Sequence, residues 1–325
     1  MAVNQRFSIE EFNSPLQDIM GSVDLFVYAV GFEQRSSHFV DIAHRFPAQF
    51  AAVVYENHKT HGHSMQNQRK FKERGHDKLG PSERQILSYF VDFVKNKERP
   101  QSIVVDISCL DRSSLSMIVM CILASIRTSD NLYVIYTPND FLPPDVDFPP
   151  MQYFGPAIPQ VSGNVGNTKH NRCLIMGLGY EYGSSLNVLE QLEPSVTYLY
   201  RPIGYDTRFI ESVAEANFNY DFGETNVHID DYYLGDMVSV YRDLSSIVLA
   251  LKHDMTITLV PFGPKIFSFV CLLIALENVG DVALLRYSVS NHRTASELKA
   301  SGKVCGLLLR GIDNVFWGRA LERGR

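Results

Sequence analysis

The sequence GFEQRSS at Gly31–Ser37 returns as GYEYGSS at Gly179–Ser185, about 150 residues later. Both segments read glycine, aromatic residue, glutamate, two variable residues and two serines. Each follows a short apolar run, DLFVYAV at Asp24–Val30 and CLIM at Cys173–Met176. An apolar run, a glycine turn and a helix-compatible segment form the start of a βα unit. The recurrence at this spacing predicts an internal duplication.

The residues around these turns repeat the same order of elements. Continuously apolar runs alternate with helical patterns in both halves, as in a parallel sheet that is covered on both faces. A second pair of turns follows a later strand in each half, DISCLDRSS at Asp106–Ser114 and VPFGPKIFS at 260–268, and each carries one basic residue before an apolar helix. The predicted fold is therefore α/β, with two tandem Rossmann-like parallel-sheet units from an internal duplication.

The stretch after Pro138 separates the two halves. Seven of the fifteen prolines fall between Pro138 and Pro159, and a Gly/Asn-rich piece follows them. Such composition is typical of a linker. The predicted organisation is a first unit at 1–140, a Pro/Gly-rich linker at 141–170 and a second unit at 171–325.

Composition limits the classes of function. The 325 residues include 30 basic and 36 acidic side chains, for a formal net charge of −6, which disfavours bulk binding of duplex DNA. The longest apolar runs reach about ten residues, well short of the roughly 18–20 that span a bilayer. Five widely spaced cysteines without a CxxC pair argue against a disulfide framework or a cysteine-rich zinc site. We expect a cytoplasmic protein without a membrane partner.

Ligands of open parallel sheets bind at the carboxyl ends of the strands. A helix N-terminus there, with a serine hydroxyl and a basic side chain, suits a phosphate. The turns supply three such groups, although serine and aspartate at a helix start are equally expected as ordinary N-caps. The predicted ligand-binding residues are Gly31, Glu33, Arg35, Ser36, Ser108, Arg112, Ser113, Gly179, Glu181, Ser184, Gly263 and Lys265.

Three acidic residues are open to more than one interpretation. Glu33 and Glu181 hold equivalent positions, where a carboxylate would bind a ribose hydroxyl, act as a general base or pair with an arginine. Asp106 ends a strand in the first half and has no acidic counterpart in the second. Glu33 and Asp106 are the candidate catalytic residues, whereas Cys109 lacks a matching histidine and is expected to pack. The glycine spacing fits a dinucleotide fingerprint poorly, so no cofactor is assigned.

A histidine-rich segment, 58–76, follows the second strand of the first half. His58, His61 and His63 form an HxxHxH pattern, and His76 lies beyond it. Imidazole is a common zinc ligand, but no framework in the sequence makes these side chains converge. A solvated, locally basic surface is the preferred interpretation, a ligand- or nucleic-acid-contacting surface the second and a metal site the third, so no metal is assigned.

The segment SIVVDISCLDRSSLSMIVMCILA resembles the strand, polar turn and apolar helix of the CRISPR-associated Rossmann-fold sensors and their tandem relatives in bacterial anti-phage signalling. The matching positions are Asp106, Ser108 and Arg112, with Gly263 and Lys265 as a looser second set. The Gly-Gly-Thr-Lys core of the family's turn is absent here, as is a recognisable effector domain. The resemblance implies two Rossmann-like units that hold a nucleotide messenger. Because no effector domain is recognisable, we expect the chain to act with a partner effector protein.

The leading functional hypothesis is a sensor for a nucleotide-like, phosphorylated small molecule, with one composite pocket. In it, Arg35, Arg112 and Lys265 would contact phosphate, and Glu33 and Glu181 would contact ribose or base. The alternatives are an enzyme acting on a nucleotide or nucleoside, with its active site in the first half, and a non-catalytic interaction scaffold.

Overall fold

The computed structural model describes residues 6–55, 62–143, 150–163, 171–181, 183–222, 226–289 and 298–323. Its residues fall into two units by their internal contacts. The first unit consists of Met1–Asp140 and Ala295–Glu322, and the second of Phe141–Thr294 and Arg323–Arg325.

Strands and helices alternate along both units. The strands are β1 (Ser8–Phe12), β2 (Leu25–Val30), β3 (Gln49–Val54), β4 (Asp77–Lys78), β5 (Ser102–Asp106), β6 (Asn131–Tyr136), β7 (Met151–Pro156), β8 (Arg172–Gly177), β9 (Val196–Ile203), β10 (Val227–Tyr233), β11 (Thr256–Pro261), β12 (Val282–Val289) and β13 (Cys305–Arg310). The α-helices are α1 (Gln17–Met20), α2 (His38–Ala43), α3 (Ser64–Arg74), α4 (Glu83–Val94), α5 (Arg112–Ser125), α6 (Ser184–Leu192), α7 (Arg208–Ala216), α8 (Met237–Leu251), α9 (Lys265–Glu277) and α10 (Asn314–Arg323).

The first sheet has the strand order β1-β13-β6-β5-β2-β3-β4. Its five central strands, β6-β5-β2-β3-β4, are mutually parallel. Numbered along the chain, these five lie in the order 5-4-1-2-3, which is the Rossmann arrangement read from its other edge. The order reverses between β2 and β5, so the topological switch point of the first unit lies at the carboxyl ends of those two strands.

The second sheet repeats this arrangement. Its order is β10-β9-β8-β11-β12-β7, and the five parallel strands again lie in the order 3-2-1-4-5. In both sheets an antiparallel strand follows the fifth parallel strand: β13 beside β6, and β7 beside β12. The α/β fold with two Rossmann-like units is confirmed.

The apolar runs of the sequence become the buried centres of the two sheets. Every residue of β2 and β5 is buried, as expected for strands covered on both faces. Helix α9 is buried from Ile266 to Leu276 and helix α5 along most of its length. Hydrophobic burial of these central elements is the main stabilising contribution of each unit.

The structure differs from the predicted boundaries at two places. The C-terminal residues, assigned to the second unit by sequence, supply β13, which pairs antiparallel with β6 of the first sheet. The predicted linker at 141–170 contains β7, an edge strand of the second sheet. Both segments supply a neighbour for the fifth parallel strand, whose outer backbone groups would otherwise lack hydrogen-bond partners.

No helix among the described residues is both long enough and apolar enough to cross a membrane.

The placement of β13 predicts a local effect of Leu309→Ala. Leu309 is fully buried, so the substitution should lower the free energy of unfolding by about 3 kcal/mol. Hydrogen exchange should accelerate in β5 and β6 while β8 and β11 stay protected. The exposed Leu249→Ala serves as the control and should change stability by less than about 0.5 kcal/mol. Faster exchange in the second sheet alone would contradict the assignment of β13.

Candidate functional site

The glycine turn of the first unit is held by Ser36. Its hydroxyl donates to the Ala29 carbonyl at 2.6 Å and accepts from the Gly31 N–H at 3.0 Å. Gln34–Ser37 form a 3₁₀ turn, and α2 after it has only six residues. Ser36 therefore closes the turn on its own strand, and the anion site expected at a long helix N-terminus is not present in this form.

Glu33 and Arg35 form a buried ion pair beneath this turn. The Arg35 Nε donates to Glu33 Oε2 at 2.6 Å, and Arg35 Nη1 donates to the Thr137 carbonyl at 2.9 Å. Arg35 is only 6% exposed. Burial opposes its charge, but the adjacent Glu33 carboxylate outweighs that effect and holds the Arg35 pKa well above its ordinary value. Of the interpretations open for Glu33, the structure shows the arginine partner.

Glu33 also reaches the loop that follows β5. The Cys109 thiol lies 3.6 Å from Glu33 Oε2, the oxygen that accepts from Arg35. Since Glu33 follows β2 and Cys109 follows β5, the carboxylate lies between the two loops that flank the switch point. It occupies the place where dinucleotide phosphates approach in folds of this type.

Asp106 and Ser108 shape the same loop from within. The Asp106 carboxylate accepts the Ser108 N–H at 2.9 Å, and the Ser108 hydroxyl accepts the Thr137 N–H at 2.9 Å. Both residues are buried. These contacts join the carboxyl ends of β5 and β6, which is a structural role for two residues that the sequence offered as ligand-binding or catalytic.

The N-terminus of α5 is capped by a carboxylate of the protein itself. The Asp111 carboxylate accepts from the backbone N–H groups of Ser113 and Ser114, each at 2.9 Å. These donors are the ones that the phosphate hypothesis reserved for a ligand at Arg112 and Ser113. The structure instead favours the alternative, an ordinary N-cap.

In the second unit, two glycines bring the corresponding loops into close approach. A Cβ on Gly179 would lie 2.7 Å from the Gly263 N and 2.0 Å from Glu181 Oε2. Gly263 has φ of +71°, and a Cβ there would lie 2.2 Å from the Leu178 carbonyl oxygen. Glycine is thus required for loop-to-loop packing. Glu181, the glutamate of this turn, therefore lies directly against Gly179.

The remaining predicted residues of the second unit lie around these loops. Ser184 is buried at the start of α6, and Lys265 is half-buried at the start of α9. Ser185, next to Ser184, donates its hydroxyl to Asn217 Oδ1 at 2.6 Å.

An asparagine holds the glycine turn in each unit, and neither asparagine was predicted from the sequence. Asn67 Nδ2 donates to the carbonyls of Gly31 and Glu33, each at 2.9 Å. Asn217 Nδ2 donates to the carbonyl of Gly179 at 2.8 Å. Both asparagines are buried and belong to the helical segment after the second parallel strand. Because their distances from the glycine turns along the chain differ, a search for a fixed spacing does not find them.

The histidine-rich segment divides into separate local contacts. His58 and His61 lie outside the described residues. His63 Nδ1 hydrogen-bonds Gln66 Oε1 at 3.1 Å, while His76 stacks on Phe50 and hydrogen-bonds the Tyr28 hydroxyl at 2.9 Å. Within the described parts of the chain, no group of three or more His, Cys, Asp or Glu side chains could hold a metal ion.

A polar cleft of about 380 Å³ opens beside the first glycine turn. It is lined by α2 and its preceding turn, by the start of α3, and by a clip in which residues 138–140 face 299–301. The clip is fixed by the Asp140 N–H on the Lys299 carbonyl at 2.9 Å and the Ser301 N–H on the Pro138 carbonyl at 3.0 Å. The lining residues include Arg35, Ser37, His38, Asp41, His63, Asn67, Lys70, Asp140 and Lys299.

The charges in the cleft are partly paired. Lys70 Nζ donates to Asp41 Oδ2 at 2.8 Å and to the Ser37 hydroxyl at 3.0 Å, and Arg74 donates to Asp41 Oδ1 at 2.6 Å. Burial alone would raise the Asp41 pKa, but these donors outweigh it and hold the pKa below its usual value. Burial lowers the pKa of His38, so this imidazole is mainly neutral near pH 7.

No model of a known protein family matches the chain, and neither does any curated protein. Among solved structures, the cytoplasmic domain of a prokaryotic cation chloride cotransporter is similar, with 10% identity over 85% of this chain and 98% of that chain. The TM-score is 0.22. A likeness of this size carries no argument about function.

The asparagine contacts predict equal roles for Asn67 and Asn217. Replacing either by alanine leaves buried backbone carbonyls without their donor and should lower the free energy of unfolding by about 2 kcal/mol. Chemical denaturation of Asn67→Ala and Asn217→Ala measures the effect. The exposed Gln66→Ala is the control, with less than about 0.5 kcal/mol expected. A neutral Asn217→Ala would refute the structural equivalence.

His76 predicts a pH dependence of stability. Burial, aided by nearby Arg74, lowers its pKa from 6.5 to about 4. The unfolded chain therefore takes up this proton more readily, and the stability that neutral His76 contributes is lost as pH falls from about 6.5 to 4. Denaturation at pH 7, 5.5 and 4.5 should show a shallower decline for His76→Gln than for the natural chain. The same slope in both proteins would rule out His76 as a source of the decline.

Proposed function

We propose that the first unit binds a small phosphorylated, nucleotide-like ligand in the polar cleft, and that the chain is a regulatory sensor that acts with a partner protein. The observation that carries the proposal is a cleft at the carboxyl edge of a Rossmann-like sheet, lined by Lys70, Lys299 and Arg35. The resemblance to tandem sensors of anti-phage signalling implies the same kind of ligand.

The size and charge of the cleft support an anionic ligand. Its volume of about 380 Å³ falls in the range of small-molecule sites. Arg35 is paired with Glu33, whereas Lys70 and Arg74 share the single carboxylate of Asp41. With Lys299 and Asp140 also in the lining, an excess of one positive charge remains at the cleft. A phosphate would be held by charge-assisted hydrogen bonds, which are the strongest that such side chains make.

Lys299 is the best-placed side chain for ligand phosphate. The clip with Asp140 fixes its backbone, whereas the residue itself is exposed at the cleft. Lys70 already has Asp41 as a partner, and Arg35 has Glu33. Neutral His38 adds a donor and an acceptor for a ribose or base.

Binding is favoured over catalysis by what the candidate acids contact. Glu33 accepts from the guanidinium of Arg35, and Asp106 accepts the backbone N–H of Ser108. Each of these carboxylates is thus used in the protein's own structure, which supports a sensor more than a general acid or base at either position.

Titration calorimetry with nucleoside mono-, di- and triphosphates and cyclic oligonucleotides tests the proposal. We expect at least one ligand to bind, and Lys299→Ala to weaken its binding at least tenfold, which corresponds to about 1.4 kcal/mol. Lys303→Ala, an exposed lysine outside the cleft lining, is the matched control and should bind as the natural chain does.

The Arg112→Ala variant distinguishes a site in the cleft from a site at the start of α5. Arg112 lies outside the cleft lining, so its replacement should leave affinity unchanged. Silence across the panel, or equal affinity of the natural chain and Lys299→Ala, would contradict the proposal. A loss on Arg112→Ala alone would move the site from the cleft to the start of α5.

A further inference from the structure

Strand β10 forms an edge of the second sheet, with β9 as its strand neighbour in the described part of the chain. All seven of its residues pair in continuous parallel register, from Val227 opposite Thr197 to Tyr233 opposite Ile203. The strand therefore has no bulge that would interrupt pairing with a further strand on its outer side.

The register shows which backbone groups face outward. The Leu234 N–H donates to the Ile203 carbonyl at 3.2 Å, and the Asn226 carbonyl accepts from the Thr197 N–H at 2.9 Å. In a parallel ladder, alternate residues direct both backbone groups to the same neighbour. Even-numbered residues therefore face β9, and Val227, Ile229, Asp231 and Tyr233 direct their N–H and C=O groups away from it.

The side chains of this edge are exposed. Ile229 is 39% and Tyr233 is 60% exposed, and both lie on the same face as Asp231. On the other face, Tyr232 is buried against Phe267 and anchors the strand to α9. The edge thus combines a fixed strand with apolar side chains that an added strand would cover.

The other sheet edges carry features that discourage an added strand. Strand β4 has two residues. Strand β7 ends in Gly155-Pro156 and pairs with β12 through a register shift. Strand β1 has five residues, two fewer than β10. Short strands, prolines and irregular pairing all protect edges.

The charge of β10 selects the kind of strand that fits. It contains Asp230 and Asp231 and no lysine or arginine. Asp231 is paired with Arg201 of β9, so Asp230 supplies the unbalanced negative charge of the strand. Pairing with β10 of a second copy would bring Asp230 close to its own equivalent, at an electrostatic cost. A segment with basic side chains would gain instead.

We propose that β10 binds an extended, lysine- or arginine-containing segment of a partner protein, which adds as a strand to the second sheet. Main-chain hydrogen bonds would supply affinity, and Asp230, Ile229 and Tyr233 would supply selectivity. This site is separate from the ligand cleft of the first unit, so either proposal can fail alone.

Fluorescence anisotropy with the labelled peptide KVKVTVKVK tests the docking edge on the full chain. We expect saturable binding, at least tenfold weaker for the acidic version EVEVTVEVE and for KPKPTPKPK, in which every second residue lacks the N–H donor and the proline ring prevents a continuous ladder. Ile229→Pro removes one outward N–H and spares the ladder to β9, so it should weaken binding at least tenfold. Ile229→Thr, which keeps that N–H, is the matched control and should lose less.

Circular dichroism verifies that Ile229→Pro is folded. If it is not, Ile229→Lys replaces it, because a lysine on the edge should repel the basic peptide to the same extent. Absence of binding to the natural chain overturns the proposal. Equal binding of the basic and proline peptides also overturns it, since that result means charge attraction without strand addition.

Discussion

The hydrogen bonds from Asn67 and Asn217 to the first glycine of each turn fix the geometry at the carboxyl edge of both sheets. A chain that leaves a buried strand and turns at once carries carbonyl groups that no neighbouring strand can reach. A buried carbonyl without a donor is costly, so the turn needs a side chain that comes from elsewhere. The amide group provides it, and in the first unit it holds the carbonyls of Gly31 and Glu33 together. Everything downstream of the turn, including the Glu33–Arg35 pair and the cleft, depends on that position.

The two units share this framework and use it differently. In the first unit, the glutamate of the turn enters the space between the loops of the first and fourth strands. In the first unit a buried arginine balances the carboxylate, whereas in the second the loops approach through Gly179 and Gly263. A protein anion thus stands where bound phosphate lies in many Rossmann folds. Within the described part of the first unit, the cleft beside this turn offers room for a ligand.

The fold could be predicted from the sequence because the apolar runs and the repeated heptapeptide are local patterns. It was not sufficient for β4 and β10, since neither reads as a buried strand: one has two polar residues and the other is mostly exposed. Tyr136 of β6 pairs with Cys305 of β13, which lies 169 positions later in the sequence, and no local pattern predicts such a pairing. At the candidate site, the residue types showed which side chains lie at the turns. They did not show which hydrogen bonds those side chains already make within the protein. Asp111 caps α5, and Ser36 donates a hydrogen bond to the strand that precedes it. Only the three-dimensional structure shows that these hydrogen bonds are already made.

The pairing of β13 with β6 also bears on the order of events during synthesis. Strands β2 to β6 leave the ribosome before the second unit does. Their sheet lacks β13, the antiparallel neighbour of β6, until Cys305–Arg310 emerge. At ordinary translation rates the delay is about 10–30 s, long compared with the folding of most domains. The nascent first unit therefore waits with an unprotected strand while the second unit has time to form. A cell that makes this protein would need to shield β6 during that interval, and chaperone demand should concentrate there.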